Sequence, residues 1–268
     1  MPGCNRGPEN FSYCSGFHCN PVQYEKFSGP RLQPGIDLMA RMAPPSEGDI
    51  VDLGCGTGTL TVLLGERFGT DRVSGLDSSP EMIAKARERY PEIGWRETNI
   101  AGWHADQPLA AIYSNAALHW LPAHERLFPL LLDELVPGGV LAIQMPRPYQ
   151  QDSFRLLVEL VRQPEWRELV EEPHQPVSPP EDYFDLLAPI AASVEIWQTE
   201  YLQVLDPPDA VFEYARSTML LPIVEGLTEA DAARFSDAYR SVLAQAYGSL
   251  HQGKTLYPFN RLFILARK

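Results

Sequence analysis

The stretch Ile50-Val51-Asp52-Leu53-Gly54-Cys55-Gly56-Thr57-Gly58, answered by Leu76-Asp77-Ser78-Ser79, decides the fold of this 268-residue chain. Ile50, Val51 and Leu53 read as the apolar end of a buried strand. Gly54, Gly56 and Gly58 let the backbone turn sharply and let a ligand approach without meeting a Cβ. A helix beginning near Thr59 then points free N–H groups at that ligand. Leu76-Asp77 ends a second strand on an acid, 23 residues past Gly54. Nucleotide-binding βαβ units carry a ribose-binding acid at about this distance, roughly 20 residues on. Its carboxylate can accept both ribose hydroxyls.

The pyrophosphate fingerprint G-x-G-x-x-G does not fit. Counted from Gly54, its last glycine falls on Thr59; counted from Gly56, it falls on Thr61. The spacing G-x-G-x-G suits a smaller adenosine cofactor with a cationic sulfonium and an amino-acid tail. S-adenosyl-L-methionine is therefore expected rather than a dinucleotide.

Strand and helix signals alternate outward from this turn. Asp49–Leu53 reads as strand, Thr59–Phe68 as helix, Arg72–Asp77 as strand and Ser79–Arg89 as helix. Ser79-Pro80-Glu81 is a strong helix start: a capping hydroxyl, a proline in the first turn and an acid at the positive end. Gly94–Thr98 and Leu109–Ser114 read as strands, Ala123–Leu135 as helix and Val140–Met145 as a fifth strand. The alternation predicts an α/β fold, a Rossmann-like, mostly parallel sheet with helices on both faces. Ligands in such sheets bind beyond the carboxyl ends of the strands.

After Pro146 the rhythm breaks. Short helices are expected at Asp152–Val161 and Glu181–Ala188, a long strand at Val194–Leu205, helices at Ala210–Met219 and Glu229–Tyr247, and a last strand at Asn260–Arg267. A helix-like run over residues 21–43 precedes the first strand, with Leu32, Ile36, Leu38, Met39 and Met42 as its apolar positions. One domain is expected over 20–268, with helical lid insertions at about 147–192 and 206–250. Residues 1–19 read as a flexible tail.

Composition bounds the partners. At 44% hydrophobic and 21% charged, the chain is ordinary soluble material. Its formal net charge of −13 argues against nucleic acid and anionic membrane surfaces. No apolar run approaches the ~20 residues of a membrane helix, and no secretory signal is visible. Cys4, Cys14, Cys19 and Cys55 include no C-x-x-C spacing, so no metal site is expected. Nothing demands disulfides, and a reducing cytoplasmic setting is the default. A small molecule is the expected partner, with the chain a monomer or weak homodimer.

Further segments carry a narrower likeness. They are Asn20-Pro21-x-x-Tyr24-x-x-Phe27-Ser28-x-x-Arg31-x-x-Pro34, the glycine turn, and Asp77-Ser78-Ser79-Pro80-x-Met82-Ile83. They continue with Ser114-Asn115-Ala116-x-Leu118-x-Trp120-Leu121-Pro122, Gln144-Met145-Pro146, Ile196-Trp197-x-Thr199-x-Tyr201 and Arg261-Leu262-Phe263-Ile264. In these the chain resembles the class I S-adenosylmethionine-dependent methyltransferases, and within them the trans-aconitate methyltransferase family. The resemblance implies a seven-stranded sheet with a reversed seventh strand, and methyl transfer to a carboxylate of a small organic acid. Family members often carry Gln at the position of His119. Near Thr218-Met219-Leu220-Leu221-Pro222 they often read Thr-Gly-Leu-Arg-Pro, so Met219 and Leu221 depart from the pattern and point to a less charged acid.

The candidate cofactor residues are Arg31, Asp52, Gly54, Cys55, Gly56, Gly58, Asp77, Ser78, Met82, Asn99, Ile100 and Asn115. Asn99 stands where the family usually has an adenine-binding acid; its amide carbonyl can still accept from the adenine amine. A carboxylate with a pKa near ~4 is already ionised at neutral pH, so positioning groups are expected rather than a general base. Orientation alone supplies roughly 7–11 kcal/mol in a near-attack geometry. The candidates are His119, Trp120, Tyr24, Arg147 and Arg261. Methylation of a hydroxyl or amine would instead need a base, for which His119 is the obvious residue. A cofactor-binding protein without catalysis is the third reading.

Overall fold

Seven strands pair in the order β3-β2-β1-β4-β5-β7-β6 in a computed structural model describing residues 28–173, 177–206, 209–248 and 253–268. In chain order the elements are α1 (Ser28–Arg41), β1 (Ile50–Leu53), α2 (Thr59–Phe68), β2 (Val73–Asp77), α3 (Pro80–Arg89), β3 (Gly94–Glu97) and β4 (Leu109–Asn115). Then come α4 (His124–Asp133), β5 (Leu135–Pro146), α5 (Asp152–Val161), α6 (Pro180–Leu187) and β6 (Ser193–Leu205). Last are α7 (Ala210–Ala215), α8 (Leu221–Val224), α9 (Glu229–Ala246) and β7 (Thr255–Arg267). β1 to β5 run parallel, and β7 lies antiparallel between β5 and β6. The expected reversed last strand is therefore present.

Alternation along the strands sorts the side chains into two apolar layers. Leu53, Ile112, Leu141, Ile143 and Ile264 pack with Phe128 of α4 and Leu187 of α6. Ile50, Ala111, Tyr113, Ala142, Phe263 and Leu265 pack on the other face with Leu38 of α1 and Leu60 and Leu64 of α2. A further core joins α5, α7 and α9 to the far ends of β6 and β7, around Phe212, Phe235, Tyr239 and Tyr257. The start of α3 is as expected: Ser79 Oγ accepts from Met82 N at 3.3 Å behind Pro80, a cap worth about 1 kcal/mol.

Three boundaries differ from the sequence reading. β5 begins at Leu135, because Leu135 pairs with Leu109 before a register shift restores regular pairing at Val140. β7 begins at Thr255, five residues earlier than expected, because β6 pairs with it along its whole length. The expected helix Ala210–Met219 is α-helical only to Ala215, and Arg216–Leu220 form a π-helical turn. The expected tail and the first residues of the run over 21–43 lie outside the described residues.

Candidate active site

The glycine turn sits where β1 meets α2, at the carboxyl end of the sheet. Gly54, Gly56 and Gly58 all have φ between +56° and +83°, which L side chains rarely adopt. At Gly56 an added Cβ would meet nothing within 4 Å. That leaves an open cradle beside the first N–H groups of α2.

Two acids flank this cradle. Asp77 ends β2; its Oδ2 accepts Gly56 N and its Oδ1 accepts Ser79 N, both at 2.9 Å. The carboxylate thus braces both loops while each oxygen keeps a lone pair. Asp52 is 2% exposed, with Oδ2 accepting from Thr61 Oγ1 at 2.7 Å. Burial pushes its pKa up to about 7; the Thr61 hydroxyl opposes the shift and the charge of Asp77 adds to it. A buried carboxyl held this high is poised for a cation.

The remaining cofactor candidates lie around the same strand ends. Cys55 is a buried free thiol whose pKa is raised by burial and by Asp52 and Asp77, so it is inert. Ser78 is exposed and Met82 is buried at the start of α3. Asn99 is exposed, and its Oδ1 caps the 3-10 turn of residues 100–102 by accepting Ala101 N at 3.0 Å. Ile100 packs on the core beneath that turn. Asn115 ends β4. Tyr24 and the side chain of Arg31 lie outside the described residues.

Beyond β4 the chain makes a tight turn through 116–123. Ala116 (φ 52°) and Ala123 (φ 58°) bracket it in left-handed conformations, a strain that collects at functional sites. Sequence alone gives no sign of it, since neither residue is glycine. His124 fixes the turn from below. Leu118 O can only accept, so His124 Nε2 donates to it at 2.9 Å. His124 Nδ1 is then the acceptor for Tyr183 OH at 2.7 Å, and the Tyr183 oxygen accepts Ser178 N at 3.1 Å.

His119 and Trp120 ride on this turn, with ring centroids 4.6 Å apart. Trp120 is 51% exposed, at the rim rather than in the core. Burial, with help from the charge of Arg261, holds the His119 pKa down to about 3. Its imidazole is neutral at pH 7. Arg261 is 4% exposed, and its guanidinium stacks 3.7 Å from the Phe259 ring centroid. It is the one buried arginine or lysine among the described residues.

Register groups the polar residues by face. Asp52 pairs with Tyr113, and Asn115 with Gln144, all on the face covered by α1 and α2. Arg261 shares that face with Phe263 and Leu265. Tyr201 OH donates to Asp37 Oδ2 of α1 at 2.6 Å, so Tyr201 ties that helix to β6. Arg147 is not brought to Arg261. Its Nη1 donates to Gln198 Oε1 at 2.7 Å, and Gln198 is paired with Leu262, on the face covered by α4 and α6. Met219, in the π-helical turn, packs against the core of α7 and α9.

A family profile described as a methyltransferase domain matches residues 50–139, from β1 into β5. Sheet order, glycine turn and this match define a Rossmann-like S-adenosyl-L-methionine-dependent methyltransferase. The trans-aconitate 2-methyltransferase of Azoarcus sp. (strain BH72) is 41% identical over 244 residues, covering 91% of this chain and 96% of that protein. That of Paracidovorax citrulli (strain AAC00-1) is 41% identical over 255 residues, covering 93% and 98%. The chain belongs to the trans-aconitate 2-methyltransferase family. It is accordingly an enzyme with S-adenosyl-L-methionine as its cofactor. Among solved structures, Haemonchus contortus phosphoethanolamine N-methyltransferase 2 in complex with S-adenosyl-L-methionine superposes with a TM-score of 0.55 at 17% identity. That likeness of fold covers 92% of this chain and 56% of the other. Among the described residues no helix is long and apolar enough to cross a membrane, and no cluster of His, Cys, Asp and Glu could hold a metal.

Proposed function

We propose that the chain methylates a carboxylate of trans-aconitate or a closely related small acid, making a methyl ester. The observation that carries this reading is Arg261, a buried arginine beside a neutral His119 at the carboxyl end of the sheet. A protein of net charge −13 that buries a guanidinium there is built to attract an anion locally.

The cradle suits the cofactor. Asp77 offers lone pairs to ribose hydroxyls, Gly56 admits the ligand close to the backbone while Gly54 and Gly58 make room for Ala117 and Trp95, and Asp52 answers the cationic methionyl end. Ser78, Met82, Asn99 and Ile100 line the adenosine end, with Cys55 filling the turn and Asn115 facing the sulfur. Arg31 is assigned to the methionyl carboxylate. When bound, the cofactor supplies an electrophilic methyl on a cationic sulfur. An ionised carboxylate would accept that methyl through one oxygen, with the electron pair kept by the departing sulfur, so the protein would have no proton to remove.

The chain's own residues hold and shield. Arg261 compensates the substrate charge, His119 donates as a neutral imidazole, and Trp120 walls the opening; Tyr24 is assigned to substrate positioning from its sequence motif alone. A histidine held near pKa 3 is a poor base, which weighs against a hydroxyl or amine acceptor. Arg147, turned to the other face, is assigned to rim structure. The helices over 206–250, with α1, act as the lid. The chain works in the cytoplasm as a monomer or weak homodimer.

The test is methyl transfer from labelled S-adenosyl-L-methionine to a panel of acids, from monocarboxylates to trans-aconitate. Transfer to trans-aconitate is expected despite Met219 and Leu221. Transfer to amines or alcohols in place of any acid would refute the reading.

A further inference from the structure

Gln144 is 1% exposed, and neither its amide nitrogen nor its carbonyl oxygen has a hydrogen-bond partner among the described residues. A buried polar group left unmet is costly. Gln203 on β6, opposite Tyr257, is in the same state; Gln144 is the one that stands near the end of β5 opposite Asn115, and there the unmet amide points to a group that meets something from outside. The Gln144 side chain shares its layer with the apolar Ala142 and Phe263, where an unmet amide is costly.

Its surroundings define the ligand. Gln144 lies two residues before the end of β5, directly opposite Asn115 and Phe263. Arg261 is two residues from Phe263 on the same face, a diagonal neighbour at about 7–8 Å. The backbone carbonyl of Gln144 accepts Ala116 N at 2.9 Å, at the entry of the turn that carries His119. Asn115 Oδ1 and His119 Nδ1 are likewise buried and unmet among the described residues. A guanidinium, an amide donor and a neutral imidazole thus converge beside the end of β4, where the acceptor group must sit.

We propose that Gln144 binds the acceptor carboxylate: its amide N–H donates to one carboxylate oxygen, Arg261 balances the charge, and the second oxygen is left to attack the methyl group. This rests on the carboxylate reading of the preceding subsection and names a residue for it. An amide suits the task better than a second cation. It fixes direction without adding charge that would make the carboxylate a weaker nucleophile.

The experiment is calorimetric titration of trans-aconitate into the full-length protein loaded with S-adenosylhomocysteine, with kcat and KM measured in parallel. Gln144→Leu is expected to weaken trans-aconitate binding about 10- to 100-fold, with affinity for S-adenosylhomocysteine kept within about twofold. Gln144→Glu places an anion against the carboxylate and is expected to bind worse still at pH 8. Relative to wild type it recovers toward pH 5, because protonated glutamic acid has the shape of glutamine and donates a hydrogen bond. That recovery is a readout a packing role does not produce, and the near-isosteric Gln144→Glu guards against misfolding of Gln144→Leu. Trans-aconitate affinity within about twofold of wild type in both variants overturns the proposal. So does an equal loss of both ligands. If the wild-type protein binds S-adenosylhomocysteine but no acid, the carboxylate reading itself fails; wild-type binding with unaltered variants overturns Gln144 alone.

Discussion

Asp52 is the residue where stability and ligand binding oppose each other most directly. Its folded pKa of about 7 stands above the ordinary 3.8 because burial strips the carboxylate of water. The folded protein therefore keeps this proton longer than the unfolded chain does. Its contribution favours the folded state at low pH and is lost as pH rises from about 4 through 7. Asp52→Asn removes that slope. Denaturant melts of the cofactor-free protein should show the variant gaining on wild type between pH 5 and 8, by about 1–3 kcal/mol. Its affinity for S-adenosyl-L-methionine should fall over the same range. A stability difference independent of pH would contradict the assignment. Asp52 and Asp77 are legible in the sequence because a strand, a glycine turn and a helix fix where each acid must stand. Gln144 is not, because its meaning depends on Asn115 and Phe263 across two neighbouring strands, and only register supplies them.

At the scale of elements, the turn over 116–123 is the part on which the chemistry leans. It is braced from beneath by the His124–Leu118 and His124–Tyr183 hydrogen bonds, with a left-handed alanine at each end. Tyr183→Phe leaves His124 Nδ1 buried without its donor. The expected cost is about 1–3 kcal/mol in a thermal melt. The looser turn should raise KM for the acid several-fold while leaving cofactor affinity in place. An unchanged KM would show that the turn is held by other means. The parallel half of the sheet is legible because β1 runs into the glycine turn, β2 runs into the Ser79 cap of α3, and strand and helix signals alternate on through β5. The antiparallel half is harder to read. Pro258 demotes Thr255–Phe259 as a strand in the sequence. The structure accommodates it because β5 joins β7 only from Arg261 onward, leaving β7 one sheet neighbour at Pro258. The extension of β5 back to Leu135 is hidden by Pro137, Gly138 and Gly139, which read as a turn.

For the whole molecule, the net charge of −13 and the buried Arg261 act on an anionic substrate in opposite senses. The global field repels an approaching tricarboxylate and is screened by salt over about 10 Å at 0.1 M; the buried guanidinium is screened far less. Raising ionic strength from about 0.02 to 0.15 M should therefore raise kcat/KM for trans-aconitate more than for a monocarboxylate. A uniform fall would mean that local attraction dominates the approach.

The chemical nature of the product tests ester formation most directly. Protein, methyl-labelled S-adenosyl-L-methionine and trans-aconitate are incubated, and the labelled product is exposed to mild base. One methyl per S-adenosylhomocysteine formed is expected, released by base as methanol, as an ester requires. A base-stable label, or no transfer to any acid by protein that binds the cofactor, would contradict it.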